Sequence, residues 1–178
     1  WDKNHLKTFR RHTVALGKTG LVFIYDELEA DEPVTWDYLL HTVIHPMNVT
    51  KKDKFVHIQA TNKNGASDAY LFSSGTLKTD TTSQFFAPAV NWLRADAKGQ
   101  FAAYPNHWHF TATSEKQKTY RFATIINTHL LSRPVADPEI LPDGRIKVGS
   151  WIIKVNVSAE GAPSFFIRST RKGEDVNI

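Results

Sequence analysis

Apolar and polar positions along this chain alternate far more often than they recur at the spacing of a helix. Residues 21–25, LVFIY, form an unbroken apolar run bounded by Gly20 on one side and by Asp26 and Glu27 on the other. A run that short, rich in β-branched and aromatic side chains, predicts a strand covered on both faces. After an acidic connector at 29–33 the chain alternates, with Trp36, Tyr38 and Leu40 on one side and Asp37, Leu39 and His41 on the other. Further on, Trp151, Ile153, Val155 and Val157 alternate with Ile152, Lys154, Asn156 and Ser158, the pattern of a strand with one wet face. The same signals place strands near 5–16, 20–28, 34–44, 54–60, 67–73, 107–114, 118–127, 145–148, 150–158 and 163–169. Helical spacing is confined to 88–97, which reads equally well as an irregular loop.

Turn residues separate these runs: Gly17 to Gly20, Asn62 to Gly65, Pro142 to Gly144, and Glu160 with Gly161. Many short strands with such turns and little helix predict an all-β, antiparallel β-sandwich of jelly-roll or supersandwich type, in one domain over 1–178. Two stretches are less regular. Residues 73–104 carry one apolar pair, Phe85 and Phe86, and are otherwise small and polar, a long excursion of the kind that binds something or covers a partner surface. Residues 132–143 hold Pro134, Pro138 and Pro142 and predict an extended connector.

Composition narrows the class without naming a function. With 41% hydrophobic and 22% charged residues the chain falls among ordinary globular proteins. It has no apolar run of the roughly 20 residues a membrane helix needs, and no charged-then-apolar leader. It opens on Trp1 with residues that already read as strand, which implies a preceding segment removed by processing or by design of the expressed chain. The net charge of +4 is mild. Basic residues are scattered, with clusters only at Arg10–Arg11, Lys51–Lys54 and Arg171–Lys172, so no nucleic-acid stripe is predicted. These clusters read first as solvated strand ends and loops, with a weak attraction for acidic polysaccharides as the second reading. There are no cysteines, which removes thiolate metal sites, thiol nucleophiles and disulfides.

Several constellations could carry chemistry. His107 and His109 stand two apart on a predicted strand, so both imidazoles share a face and could point at one metal, with His12, His41, His57 and Asp26 as further ligands. A cupin-like site would need a Gly shortly before the pair and a Glu shortly after; Gly99 and Glu115 are too distant. Two hydrogen-bonded surface histidines are the plainer account. Gly17, Lys18 and Thr19 resemble the end of a phosphate-binding loop, but His12 stands where its first Gly belongs and a strand follows, so a hairpin turn is preferred. Asp26, Glu27, Glu29, Asp31 and Glu32 read as a solvated strand end, with Asp26 accepting turn hydrogen bonds, before they read as a calcium site or catalytic pair. No Gly-x-Ser-x-Gly elbow frames a serine. Trp92, Tyr104, His107 and Trp108, with Asn91 and Asn106, have the rings and amides that suit sugar faces, against a plainer role in plugging the loop onto the sandwich. Asn48 and Asn156 stand in N-glycosylation triplets, a frequent and weak pattern.

The segment RRHTVALGKTGLVFIYDELEADEPVTWDYLLHT, 10–42, resembles a segment of heparinase II/III-type polysaccharide lyases, in which an Arg-His strand leads to an apolar strand ending in Tyr-Asp-Glu-Leu-Glu-Ala and then to a Trp-x-x-Leu-Leu-His strand. A second stretch, YPNHWHFTA at 104–112 with Arg121, Phe122, Ile125 and Ile126 after it, supports the match. The resemblance implies the C-terminal β portion of a multidomain, periplasmic or secreted lyase, whose N-terminal α/α toroid cleaves uronic-acid-containing polysaccharide by β-elimination. There a base removes the proton α to the uronate carboxylate, a neutralising group stabilises the enolate and an acid assists the leaving oxygen. The family's catalytic Tyr and His, and the zinc ligands of some members, lie upstream of the matched segments. The resemblance therefore assigns no catalytic residue, metal or cofactor here. It implies an inert fragment that partners the toroid and, at most, the acidic polysaccharide. A sugar-binding module and a cupin-like metal site at His107 and His109 are the alternatives. An uncovered strand edge or apolar patch is expected to drive self-association.

Overall fold

The computed structural model describes residues 5–17, 20–43, 45–83, 98, 107–171 and 175–176. They form fourteen strands in three antiparallel sheets, and no α-helix occurs among the described residues. The largest sheet has six strands in the order β1 (Leu6–Ala15), β2 (Leu21–Val34), β9 (Gln117–Leu130), β6 (Gly65–Ser73), β5 (Val56–Asn62) and β4 (Asn48–Lys51). A five-stranded sheet runs in chain order through β10 (Glu139–Ile140), β11 (Ile146–Val148), β12 (Trp151–Val155), β13 (Phe165–Ser169) and β14 (Asp175–Val176). The third sheet has the order β3 (Asp37–Val43), β8 (His107–Ser114) and β7 (Leu77–Thr82).

Alternation along the six-stranded sheet builds two cores, one on each face. Phe23, Tyr25, Tyr70, Phe72, Ala123 and Ile125 face one way and pack with Ile146, Val148, Trp151, Ile153 and Ile167 of the five-stranded sheet. Leu28, Ile58, Ala69, Leu71, Tyr120 and Phe122 face the other way and pack with Tyr38, Leu77, Phe110 and Ala112 of the three-stranded sheet. The result is a three-layer β-sandwich with the six-stranded sheet in the middle. Leu21, Phe23 and Tyr25 of LVFIY are buried in the first core, whereas Val22 and Ile24, on the other face, are only half-buried, so the expected cover on both faces is partial.

Several boundaries differ from the sequence expectation. β2 does not stop at 28 but continues through the acidic stretch to Val34, with its pairing to β9 shifting register between Glu29 and Val34. Neighbouring backbone holds it there: Asp31 N–H donates to His5 O at 2.9 Å, Ala30 is buried, and Lys7 lies 3.1 Å from Asp31. The irregular excursion expected from 73 begins instead with a strand, β7. Only Leu77 of β7 is buried, so the strand lacks the apolar alternation that would reveal it. Short β4, with no fully buried side chain, escapes the pattern for the same reason. β12 ends at Val155, and Ile152, assigned to the wet face, is buried. The helical spacing at 88–97 and the pair Phe85–Phe86 lie outside the described residues. Gly20 sits at φ +70, and a Cβ there would lie 2.7 Å from the carbonyl oxygen of Thr128, so this turn requires glycine.

Candidate functional site

Of the acidic residues that follow LVFIY, Glu29, Asp31 and Glu32 are exposed as expected, but Asp26 and Glu27 are not. Asp26 is only 2% exposed, and its carboxylate accepts two hydrogen bonds from Arg11, Nε to Oδ1 at 2.7 Å and the terminal nitrogen to Oδ2 at 2.8 Å. Arg11 and Asp26 are cross-strand partners in the β1–β2 register, which fixes the fork-to-fork geometry. The expectation of turn hydrogen bonds fails because β2 runs on and Asp26 lies mid-strand, beneath the three-stranded sheet. The Asp26 hydrogen bond raises the pKa of Arg11. On the opposite face Glu27 accepts from His12 Nε2 at 2.7 Å and from Arg10 at 3.2 Å. These carboxylates bind the edge strand to its neighbour.

His107 and His109 do share a face of β8, and His41 joins them from β3, opposite His109 in the register. The His41 and His109 rings meet edge to face at 4.6 Å between centroids. Burial, then the neighbouring His41 and His107, lowers the pKa of His109. The other proposed ligands go elsewhere: His12 to Glu27, His57 to Asp68 and Asp26 to Arg11. Among the described residues no three His, Cys, Asp or Glu side chains are grouped to hold a metal ion. Of the four residues assigned to sugar binding, Trp92 and Tyr104 lie outside the described residues. His107 is exposed, and Trp108 packs half-buried on the core side of the three-stranded sheet. Adjacent on one strand, these two side chains address opposite faces.

A polar cluster that no motif announced lies on the six-stranded sheet. Asp68, 3% exposed, accepts from His57 Nε2 at 2.8 Å and Gln59 at 2.9 Å on one oxygen, and from His129 Nε2 at 2.6 Å on the other. His129 Nδ1 lies 2.9 Å from the carbonyl oxygen of Leu130, so both ring nitrogens face acceptors and the imidazolium is favoured. The Leu130 carbonyl and Asp68 raise the pKa of His129. Burial pushes Asp68 up, but its hydrogen bonds to His57, His129 and Gln59 outweigh that and leave its pKa below the ordinary value. Periodicity could not find this set, because it draws on three strands that meet only through pairing.

A cavity of about 640 Å³ opens where connections of all three sheets converge. One wall is the β4–β5 link with Lys51, Lys52, Asp53 and Lys54; another is the β6–β7 link; the β10–β11 turn and the end of β12 close the third. The β6–β7 link is firmly tied. Ser74 Oγ donates to Val157 O at 2.6 Å, Gly75 N–H donates to Tyr120 Oη at 3.2 Å, and Lys51 Nζ donates to Leu77 O at 3.1 Å. Phe55, Phe72 and Ile146 supply an apolar floor beneath the lysines.

No family model and no curated protein matches this chain. The functional reading rests on the residues and their geometry.

Proposed function

We propose that this chain is the C-terminal β portion of a heparinase II/III-like polysaccharide lyase, a non-catalytic scaffold that buttresses an α/α toroid carrying the β-elimination chemistry. The parent acts on an acidic polysaccharide outside the cytoplasm, and this portion contributes at most a wall of its cleft. One observation carries the reading: the two stretches that resemble the family are hydrogen-bonded neighbours. The first supplies β1, β2 and β3 and the second supplies β8 and the start of β9, and β2 pairs with β9 while β3 pairs with β8. That two stretches tens of residues apart resemble one family and also pair with each other supports reading them as one structural unit. The pairing of Asp26 with Arg11 and of Glu27 with His12 gives these acids a fastening role, in keeping with a scaffold.

The test has two arms. The 178-residue chain is incubated with heparan sulfate, chondroitin sulfate or alginate while the ultraviolet absorbance of unsaturated uronate is followed. No rise is expected, and turnover by this chain alone would overturn the scaffold role. The coding sequence preceding Trp1 is expected to encode an α/α toroid followed by the earlier part of the sheet region, which between them carry the catalytic Tyr and His. Absence of any helical toroid domain upstream would overturn the family assignment.

A further inference from the structure

We propose that the lysine-rimmed cavity binds an amphipathic organic carboxylate, a molecule with an alkyl or aromatic body and an anionic head. This does not depend on the lyase reading, because it is argued from the cavity alone. The cleft is open and about 640 Å³ in volume, within the range of small-molecule sites. Its floor is made of Phe55, Phe72, Ile146, Val155 and Val157, which offer a ligand no hydrogen-bonding side-chain group. Its rim is cationic: Lys51, Lys52 and Lys54 stand against one carboxylate, Asp53, which is paired with Lys54 at 3.4 Å.

The two halves of the cavity select the ligand together. An alkyl or aromatic body meeting the floor removes apolar surface from water on both sides. A carboxylate at the rim gains the lysines while staying close to solvent, which avoids the cost of burying a charge. A hydroxyl-rich uronate chain fits less well. Its hydroxyls would leave water for the apolar floor, where Ser73 already donates its hydroxyl proton to Gly75 O at 2.7 Å. Lys51 is held by Leu77 O, so the rim is partly organised before a ligand arrives.

The test titrates the 178-residue chain calorimetrically with decanoate, with decyltrimethylammonium (the same tail with a positive head), and with trigalacturonate (the charge without the apolar body). Saturable one-to-one binding is expected for decanoate only. Replacing both exposed rim residues, K52E with K54E, should weaken it roughly tenfold or more. Filling the floor with Val157→Phe should abolish it. Circular dichroism checks both variants, and should the Val157 variant misfold, the exposed lysine pair decides. Absence of saturable decanoate binding, or equal affinity in the lysine variant, overturns the proposal. So does tighter binding of trigalacturonate or of the cationic analogue.

Discussion

Arg11 and Asp26 show how a residue pair can be worth more than its position suggests. Arg11 is half-exposed, with its side chain 48% accessible, while Asp26 is buried at 3%. The arginine keeps much of its hydration, and the carboxylate depends on it. Arg11→Ala leaves Asp26 beneath the three-stranded sheet without its partner, and should cost about 1–3 kcal/mol in urea unfolding. Asp26→Asn, which removes the charge and keeps the shape, should cost less. A larger loss for Asp26→Asn than for Arg11→Ala would contradict the pairing. His129 gives the chain a pH dependence of definite sign. Its pKa is raised in the folded state, so its contribution is complete below the ordinary histidine value and is lost as pH rises through the raised one. Asp68 is shifted down, so its contribution is present above the ordinary carboxylate value and is lost as pH falls through the lowered one. Stability from this cluster is therefore fullest between those limits. His129→Ala should be less stable than the parent by about 1–2 kcal/mol in mildly acidic buffer. The gap should narrow in alkaline buffer, and a constant gap across pH would rule out a charged His129.

At the scale of elements, β9 is the strand that ties the layers together. It lies between β2 and β6, and its two faces feed both cores. Arg121 extends its reach: 4% exposed, it donates to the carbonyl oxygens of Ser158, Glu160 and Gly161 in the β12–β13 loop. One guanidinium so closes three backbone acceptors that would otherwise need water. Arg121→Met should lower stability by about 2–3 kcal/mol. It should also speed hydrogen exchange in β12 and β13 before the three-stranded sheet is affected. Uniform acceleration in all three sheets would show that Arg121 is not a local staple. The alternation of β9 is readable in Tyr120, Phe122, Ala123 and Ile125, but Arg121 is not. A charged residue between aromatic ones reads as a water-facing position until the five-stranded sheet is placed over it.

For the whole molecule, the long edge of the middle layer matters most. β1 is the terminal strand of the six-stranded sheet, ten residues long, and carries Phe9 at 60% and Leu6 at 44% exposure. Lys7, Arg10 and Arg11 lie on the same strand but are paired with Asp31, Glu27 and Asp26 of β2, which leaves the apolar side chains to decide whether a second copy docks. Self-association through this edge should therefore be driven by Phe9 and Leu6 and should not weaken as ionic strength rises. Sedimentation at several protein concentrations checks this, with Phe9→Lys expected to hold the chain monomeric. Association that falls with added salt, or survives Phe9→Lys, would place the contact elsewhere.

Patterning alone determined that this is an antiparallel β protein and put most strands in place. The side chains that fill the cores, such as Phe23, Tyr38, Phe110 and Ile153, alternate or run together as burial on one or two faces demands. What it could not reveal were β4, β7, β14 and β10 (which lies inside the expected connector 132–143), the continuation of β2, and the partners of Asp26, Asp68 and Arg121. Period-two spacing reports which face a residue occupies, because that is a property of one strand. Which sheet covers that face, and which charge stands opposite, depends on register between strands far apart in the chain. The lysine-rimmed cavity belongs to this second kind. Its rim lies in one loop, legible as a basic cluster, but its floor exists only once the six- and five-stranded sheets meet.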